Sequence, residues 1–227
     1  MISAPGSGSG KTTIVCGLLK ALKEKGLSVS AFKSGPDYID PMFHSRVIGA
    51  KSRNLDLFML GQSTTRYLVA KNACQADVAV FEGAMGFYDG MGKTTEASAY
   101  ELACTCDVPV VLVVNGKGAA LSIAATIKGF KEFRSDSHIV GAILNNVNPM
   151  SYLFYKDVIE RETGVKLLGY FPVMQDCNFE SRHLGLVTAE EIGDLQNIVA
   201  KLAAQAAKLG AEALRHLLGH GRGSRLI

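Results

Sequence analysis

Apolar residues in this chain fall in short unbroken runs, separated by longer stretches where they recur every three or four positions. The runs predict strands over 2–4, 29–33, 78–82, 110–115, 139–145 and 167–171, and the periodic stretches predict helices over 11–24, 64–74, 96–106, 121–133, 151–163 and 189–218. A run such as "VPVVLVVN" has no polar alternation, so both faces of its sheet are expected to be covered. Strand and helix in repetition give an α/β fold, a doubly wound and mostly parallel sheet. Such sheets bind ligands at the carboxyl ends of their strands.

The pattern divides the chain into a body over 1–192, an amphipathic helix over 193–219 and a tail over 220–227 expected to be disordered. In the last helix Ile192, Leu195, Val199, Leu202, Ala206 and Leu209 form a stripe at spacings of three and four. Such a stripe can pack on its own sheet or dock a partner. No internal repeat or low-complexity linker interrupts the body.

Composition narrows the function classes. With 227 residues, 48% of them hydrophobic, the chain can bury a sizeable core. No apolar run reaches ~18 residues, so no membrane span is expected. The chain enters a glycine-rich loop at once, so no signal peptide is expected either. The net charge of +3 suits a small anionic ligand, and basic residues do not cluster with aromatics as nucleic-acid binding would require. Five cysteines at irregular spacing make no disulfide framework, which points to a reducing, cytoplasmic compartment. Cys104 and Cys106 read as a buried pair of small apolar residues rather than a metal site.

The candidate chemistry begins at "APGSGSGKTT", between a strand and a helix. Backbone amides of Gly6, Ser7, Gly8, Ser9, Gly10 and Thr13 can curl around phosphate oxygens, helped by the helix N-terminus. Lys11 would reach the β- and γ-phosphates and the Thr12 hydroxyl would meet Mg²⁺, which makes ATP with Mg²⁺ the expected ligand. Pro5 stands where the motif G-x-x-x-x-G-K-[ST] has its first glycine, and the loop fits better as a longer variant starting from Ala4.

Acidic residues follow. Asp37 and Asp40 lie in "GPDYIDP", Glu82 ends a strand, and Asp89 sits in the glycine-rich loop after it. All four are expected at one edge of the sheet, where they would repel unless a metal or another cation neutralises them. Glu82 joins Thr12 as a candidate metal residue. Asp37 and Asp40 can equally be turn residues beside Pro36 and Pro41, and Glu82 can simply cap the next segment.

"KSGPDYIDPMFH", "NLDLFM", "FEGAMGFYDG", "LVVNGKG", "GAILNNV" and "RHLGLV" occur in this order. Together they resemble the synthetase domain of the cobyrinic acid a,c-diamide synthase family, within a P-loop group similar to dethiobiotin synthetase. The resemblance covers about residues 3–192. It implies ATP-dependent amidation of tetrapyrrole carboxylates through an acyl phosphate attacked by ammonia, a step of cobalamin biosynthesis. It gives Lys11, Asp37, Asp40, Glu82 and Asp89 catalytic or substrate-proximal roles, adds Asp40 to Thr12 and Glu82 as a metal residue, and makes Asn145 an adenine contact. It leaves His183, in "RHLGLV", without a role.

Family members continue into a glutaminase domain with a nucleophilic Cys and an H-x-E pair. Here no His is followed two residues later by Glu, and no Cys sits in a G-x-C-x-G turn. The ammonia source is therefore expected outside this chain, which is a fragment, a truncation or a subunit. Asn115 stands where many relatives carry Asp. Gly6 stands where partitioning-type ATPases carry a second loop lysine, which disfavours a switch of that kind. A nickel-tetrapyrrole a,c-diamide synthase, a dethiobiotin synthetase-like ligase and a non-catalytic nucleotide-binding module remain alternatives. The oligomeric state stays open, a homodimer included.

Overall fold

The computed structural model describes residues 1–174, 177 and 189–209. The strands are β1 (Ile2–Ser3), β2 (Val29–Ser34), β3 (Lys51–Leu55), β4 (Val78–Glu82), β5 (Val110–Asn115), β6 (Ile139–Asn145) and β7 (Lys166–Phe171). The helices are α1 (Lys11–Glu24), α2 (Ile39–Phe43), α3 (Leu57–Ala73), α4 (Ala99–Cys106), α5 (Ser122–Glu132), α6 (Pro149–Thr163) and α7 (Ala189–Ala207). The strands form one sheet in the order β3-β2-β4-β1-β5-β6-β7, and every pairing in it is parallel.

The unbroken apolar run in β5 follows from this layering. Val110, Leu112 and Val114 join the core beneath α3, α4, α5 and α6, while Val111 and Val113 join the core beneath α1 and α7. Successive side chains point to opposite faces, and here both faces are dry. Val199, Leu202, Ala203 and Ala206 of α7 are buried in the second core. Gly17 of α1 has no room for a side chain because the Leu202 backbone lies against it. In its described part, the stripe on the last helix thus packs on the chain's own α1.

Four elements differ from the sequence pattern. α2 is an additional short helix, followed by a π-helical turn over His44–Ile48, where the pattern predicts no element. β3 is an additional strand at the sheet edge: Ser52 and Leu55 are buried while Lys51 and Arg53 face solvent. An edge strand needs few apolar residues, so "KSRNL" shows no run. The third helix begins at Leu57, where Asp56 caps it by accepting from the Phe58 and Met59 amides, and it is broken by Gly61 at φ 69°, ψ 168°. The fourth begins at Ala99, capped by Ser98. Residues 210–218, expected to extend the last helix, lie outside the described residues, as do His183 and residues 220–227. Cys106 is buried as expected, but Cys104 is only half-buried. No described helix is long and apolar enough to cross a membrane.

Candidate active site

The first, second and fourth strands end side by side, and register decides what meets there. Ile2 pairs with Glu82 across β1 and β4, and Lys33 pairs with Glu82 across β2 and β4. The phosphate loop leaves β1 at this point and returns as α1. Gly8 and Gly10 adopt φ of 73° and 94°, the left-handed region open to glycine. Gly10 precedes the first turn of α1, no side chain caps that turn, and no acidic residue lies in it. Its amides are therefore presented as an anion site.

The loop is braced from within and from β6. Ser9 Oγ donates to the Gly6 carbonyl at 2.9 Å, and Asn145 Nδ2 donates to the Ser9 carbonyl at 3.0 Å. A Cβ on Gly10 would collide with that same Asn145 amide. Lys11 Nζ donates to the carbonyls of Gly6 (3.1 Å) and Met85 (2.6 Å). Burial, with Lys33 next in weight, lowers the Lys11 pKa.

The acids meet a cation that the sequence reading did not single out. Lys33 Nζ lies 2.6 Å from Asp40 Oδ2, 3.0 Å from Glu82 Oε1 and 3.8 Å from Asp37 Oδ2. Lys33, Asp40 and Glu82 are all buried. Burial would lower the Lys33 pKa, but the charges of Glu82 and Asp40 and their hydrogen bonds raise it. Burial and the Glu82 charge push Asp40 up to about 6, against the pull of Lys33. Glu82 moves the other way: burial is outweighed by His44, Lys33 and Thr12, which hold it at about 2.

Each predicted acid has a definite place. Glu82 is fully buried, and its Oε1 also accepts from the Thr12 hydroxyl at 2.6 Å. Asp40 is in the first turn of α2. Asp37 closes a turn: its Oδ1 accepts from the amides of Ile39 (2.8 Å) and Asp40 (3.3 Å), while its Oδ2 faces Lys33. Asp89 Oδ2 accepts from the Gly86 amide at 2.9 Å and stands apart from the Lys33 cluster. Its loop is pinned by fully buried Phe87, whose amide donates to the Ala4 carbonyl at 2.8 Å, and by ring contacts of Tyr88 with Tyr100, Phe130 and Phe133.

Sequence reasoning missed Lys33, His44 and Asn54. Lys33 was visible as a lone basic residue inside the apolar strand "VSAFKS". His44 is fully buried with Nε2 3.3 Å from Glu82 Oε2. Asn54 Nδ2 donates to the Asp37 carbonyl, so the edge strand β3 holds the "GPDYID" loop. That contact gives "NLDLFM" a local purpose: Asn54 anchors Asp37, and Asp56 caps the helix that presents Phe58.

Beside the cluster opens a cleft of about 720 Å³. Asp37, Tyr38, Phe58, Met85, Asp89 and Met91 are among its lining residues. Tyr38, Phe58 and Met85 are each more than half exposed, unusual for large apolar side chains gathered at one opening. Among the described residues no three His, Cys, Asp or Glu side chains converge as a ready-made metal cage. The donor set does suit a hard cation bound together with phosphates: the Thr12 hydroxyl gives its proton to Glu82 and keeps a lone pair available, while Asp40 lies across Lys33 from Glu82.

A Thermoplasma volcanium protein described as cobyrinate a,c-diamide synthase is 42% identical over 204 residues, covering 89% of this chain and 45% of that protein. The Salmonella typhimurium protein of the same description is 42% identical over 197 residues, covering 84% and 42%. The chain thus spans about half the length of the curated relatives it matches. Among solved structures, the MinD cell division protein of Aquifex aeolicus has a TM-score of 0.56 at 15% identity, over 89% of this chain and 94% of that one. The signal recognition particle 54 kDa protein of Aeropyrum pernix, in complex with GDP, has a TM-score of 0.55 at 16% identity, over 96% and 48%. At such identity these likenesses show the fold alone. The sequence profile described as "CobQ/CobB/MinD/ParA nucleotide binding domain" matches residues 1–186, most of the chain, which therefore belongs to that family.

Proposed function

We propose that this domain binds ATP with Mg²⁺ and uses it to activate side-chain carboxylates of a cobyrinate-type tetrapyrrole, which ammonia converts to amides. The observation that carries this reading is the position of Met85. Its carbonyl holds the phosphate-loop lysine, while the residue itself lines the apolar cleft. Phosphate loop and cleft therefore share a wall. A large, flat, apolar ligand with acidic arms would find rings and thioethers for its face and reach the loop with an arm.

The chemistry needs a good leaving group on a poor electrophile. The substrate carboxylate oxygen attacks the γ-phosphorus, and the bond to the ADP oxygen breaks. Ammonia then attacks the acyl carbon, phosphate leaves with its bridging oxygen, and the nitrogen loses a proton. Lys11 and the α1 amides neutralise the phosphates during the first step, the larger part of phosphoryl-transfer catalysis. Thr12 and Asp40 would hold Mg²⁺, with Glu82 acting on it through the Thr12 hydroxyl, and the ion would supply further neutralisation of the phosphate oxygens. Lys33 keeps Asp40 and Glu82 together and offsets part of their charge. Asp37 and Asp89 face the cleft and are proposed to orient the substrate, while Asn145 is proposed to contact the adenine. Nitrogen is proposed to come from free ammonia or from a glutaminase region like that of the longer relatives.

The test is phosphate release by the purified chain with Mg-ATP and ammonium, comparing cobyrinic acid, hydrogenobyrinic acid, nickel-sirohydrochlorin and a dethiobiotin precursor. A tetrapyrrole-dependent release with matching amide formation is expected. Release with the dethiobiotin precursor alone, or release that no acid stimulates, would overturn the reading.

A further inference from the structure

We infer that His44 is a positioning residue that fixes the rotation of the Glu82 carboxylate and so reserves Oε1 for Thr12 and Lys33. His44 follows α2 directly and opens a π-helical turn over His44–Ile48, a rare backbone form that recurs at functional sites. The turn carries the imidazole beneath the strand ends, where it is fully buried. Nε2 lies 3.3 Å from Glu82 Oε2, and Nδ1 lies 3.3 Å from Ser52 Oγ on β3.

The two oxygens of Glu82 have unequal surroundings. Oε1 has two close donors, Thr12 at 2.6 Å and Lys33 at 3.0 Å. Oε2 is buried and makes no well-aligned hydrogen bond, and neither does His44 Nε2, although each is the other's neighbour. If the Ser52 hydroxyl donates to Nδ1, the neutral ring carries its proton on Nε2, directed at Oε2. A small rotation of either group completes that bond. A buried carboxylate oxygen without a donor is costly, so this arrangement selects one carboxylate rotation. The rotation it selects leaves Oε1 to take the Thr12 proton. Because α2 carries Asp40 and runs directly into the π turn, the same short segment places both acids around Lys33.

The inference rests on the proposed Mg-ATP reading for its consequence: Glu82 acts on the metal through Thr12, and His44 acts through Glu82. Partners that orient metal-site groups in this way typically cost 10–100-fold in metal affinity when removed. The experiment compares His44→Gln, whose amide can reach the Nε2 position, with His44→Asn, which reaches only toward Ser52. Ser52→Ala removes the hydroxyl that selects the tautomer. Calorimetric ATP binding is titrated with Mg²⁺, repeated in EDTA, and thermal melting is recorded for each protein.

His44→Asn is expected to raise half-saturating Mg²⁺ about tenfold or more, with ATP affinity in EDTA unchanged. His44→Gln should recover most of the loss, and Ser52→Ala should shift it in the same direction by less. Equal Mg²⁺ dependence in wild type and His44→Asn would overturn the inference. So would equal defects in the Gln and Asn variants that only track melting temperature, since those describe a packing role. If the Asn variant fails to fold, an unshifted Mg²⁺ dependence in Ser52→Ala overturns it. Wild-type protein that binds no ATP with Mg²⁺ would overturn the parent reading first, and the inference with it.

Discussion

Lys33 and Glu82 are register neighbours on adjacent parallel strands, with Lys33 Nζ 3.0 Å from Glu82 Oε1. The pair sits where β2 and β4 end, and Asp40 closes on it from α2 at 2.6 Å. Two buried carboxylates around one ammonium make a local arrangement that depends on the lysine. Replacing Lys33 by Met keeps the stem and removes the charge. Breaking a buried ion pair from one side typically costs about 3–5 kcal/mol. Urea denaturation of Lys33→Met should show a loss of that order, and Lys33→Arg a smaller one. A loss under about 1 kcal/mol would mean that water reaches the cluster and screens it.

The same cluster sets a pH dependence. Asp40 is raised from 3.8 to about 6, so between those values the folded protein holds more protons, and this contribution to stability falls as pH rises from about 4 to 6. Glu82 is lowered from 4.5 to about 2, so its contribution is present above 4.5 and is lost as pH falls toward 2. Together the two place their joint maximum near pH 4. Denaturation midpoints in EDTA at pH 4, 5, 6 and 7 should decline in wild type more steeply than in Asp40→Asn, which cannot titrate. Identical slopes would show that Asp40 ionises at its ordinary value.

Gly10 and Asn145 are coupled through space. Gly10→Ala places a methyl at φ 94° and against the Asn145 amide, a left-handed cost of about 1–2 kcal/mol before the collision is counted. Nucleotide affinity should fall at least tenfold. Adding Asn145→Ala removes the collision but also the loop brace and the proposed adenine contact, so the double variant should lose less affinity than the two single losses combined. A double-mutant cycle showing simple additivity would separate the two residues.

The cleft is testable apart from the phosphates. Tyr38→Ala and Phe58→Ala each delete an aromatic ring from its lining. If the tetrapyrrole face lies there, the substrate KM should rise about ten- to hundredfold, in line with ~1.5–3 kcal/mol for a buried large apolar side chain. ATP affinity should stay unchanged, because neither ring touches the loop. Unaltered KM in both variants would place the substrate elsewhere.

Much of this molecule was legible in the sequence. The buried strands carry continuous apolar runs because both faces are covered, and the phosphate loop carries its glycines because its backbone must approach an anion. The acids were legible as a set, since each follows a strand end. The cation that reconciles them was not, because one lysine in a strand looks like any other until register pairs it with Glu82. β3 was hidden for the opposite reason: an edge strand whose exposed positions are Lys51 and Arg53 shows no apolar run. His44 was visible only as a letter three places after Pro41, and only the π turn brings it to Glu82. Asp37 was ambiguous in sequence and is double-natured in structure, one oxygen closing a turn and the other facing Lys33.

The central claim is that ATP activates a tetrapyrrole carboxylate by phosphorylating it, and isotope transfer tests this most directly. Cobyrinic acid with ¹⁸O in both oxygens of its side-chain carboxylates is incubated with the purified chain, Mg-ATP and ammonium, and product and phosphate are analysed by mass spectrometry. An acyl phosphate requires one ¹⁸O in inorganic phosphate for each amide formed, with the other retained in the amide, and Lys11→Ala should abolish both signals together. Amide formation with unlabelled phosphate would contradict the account.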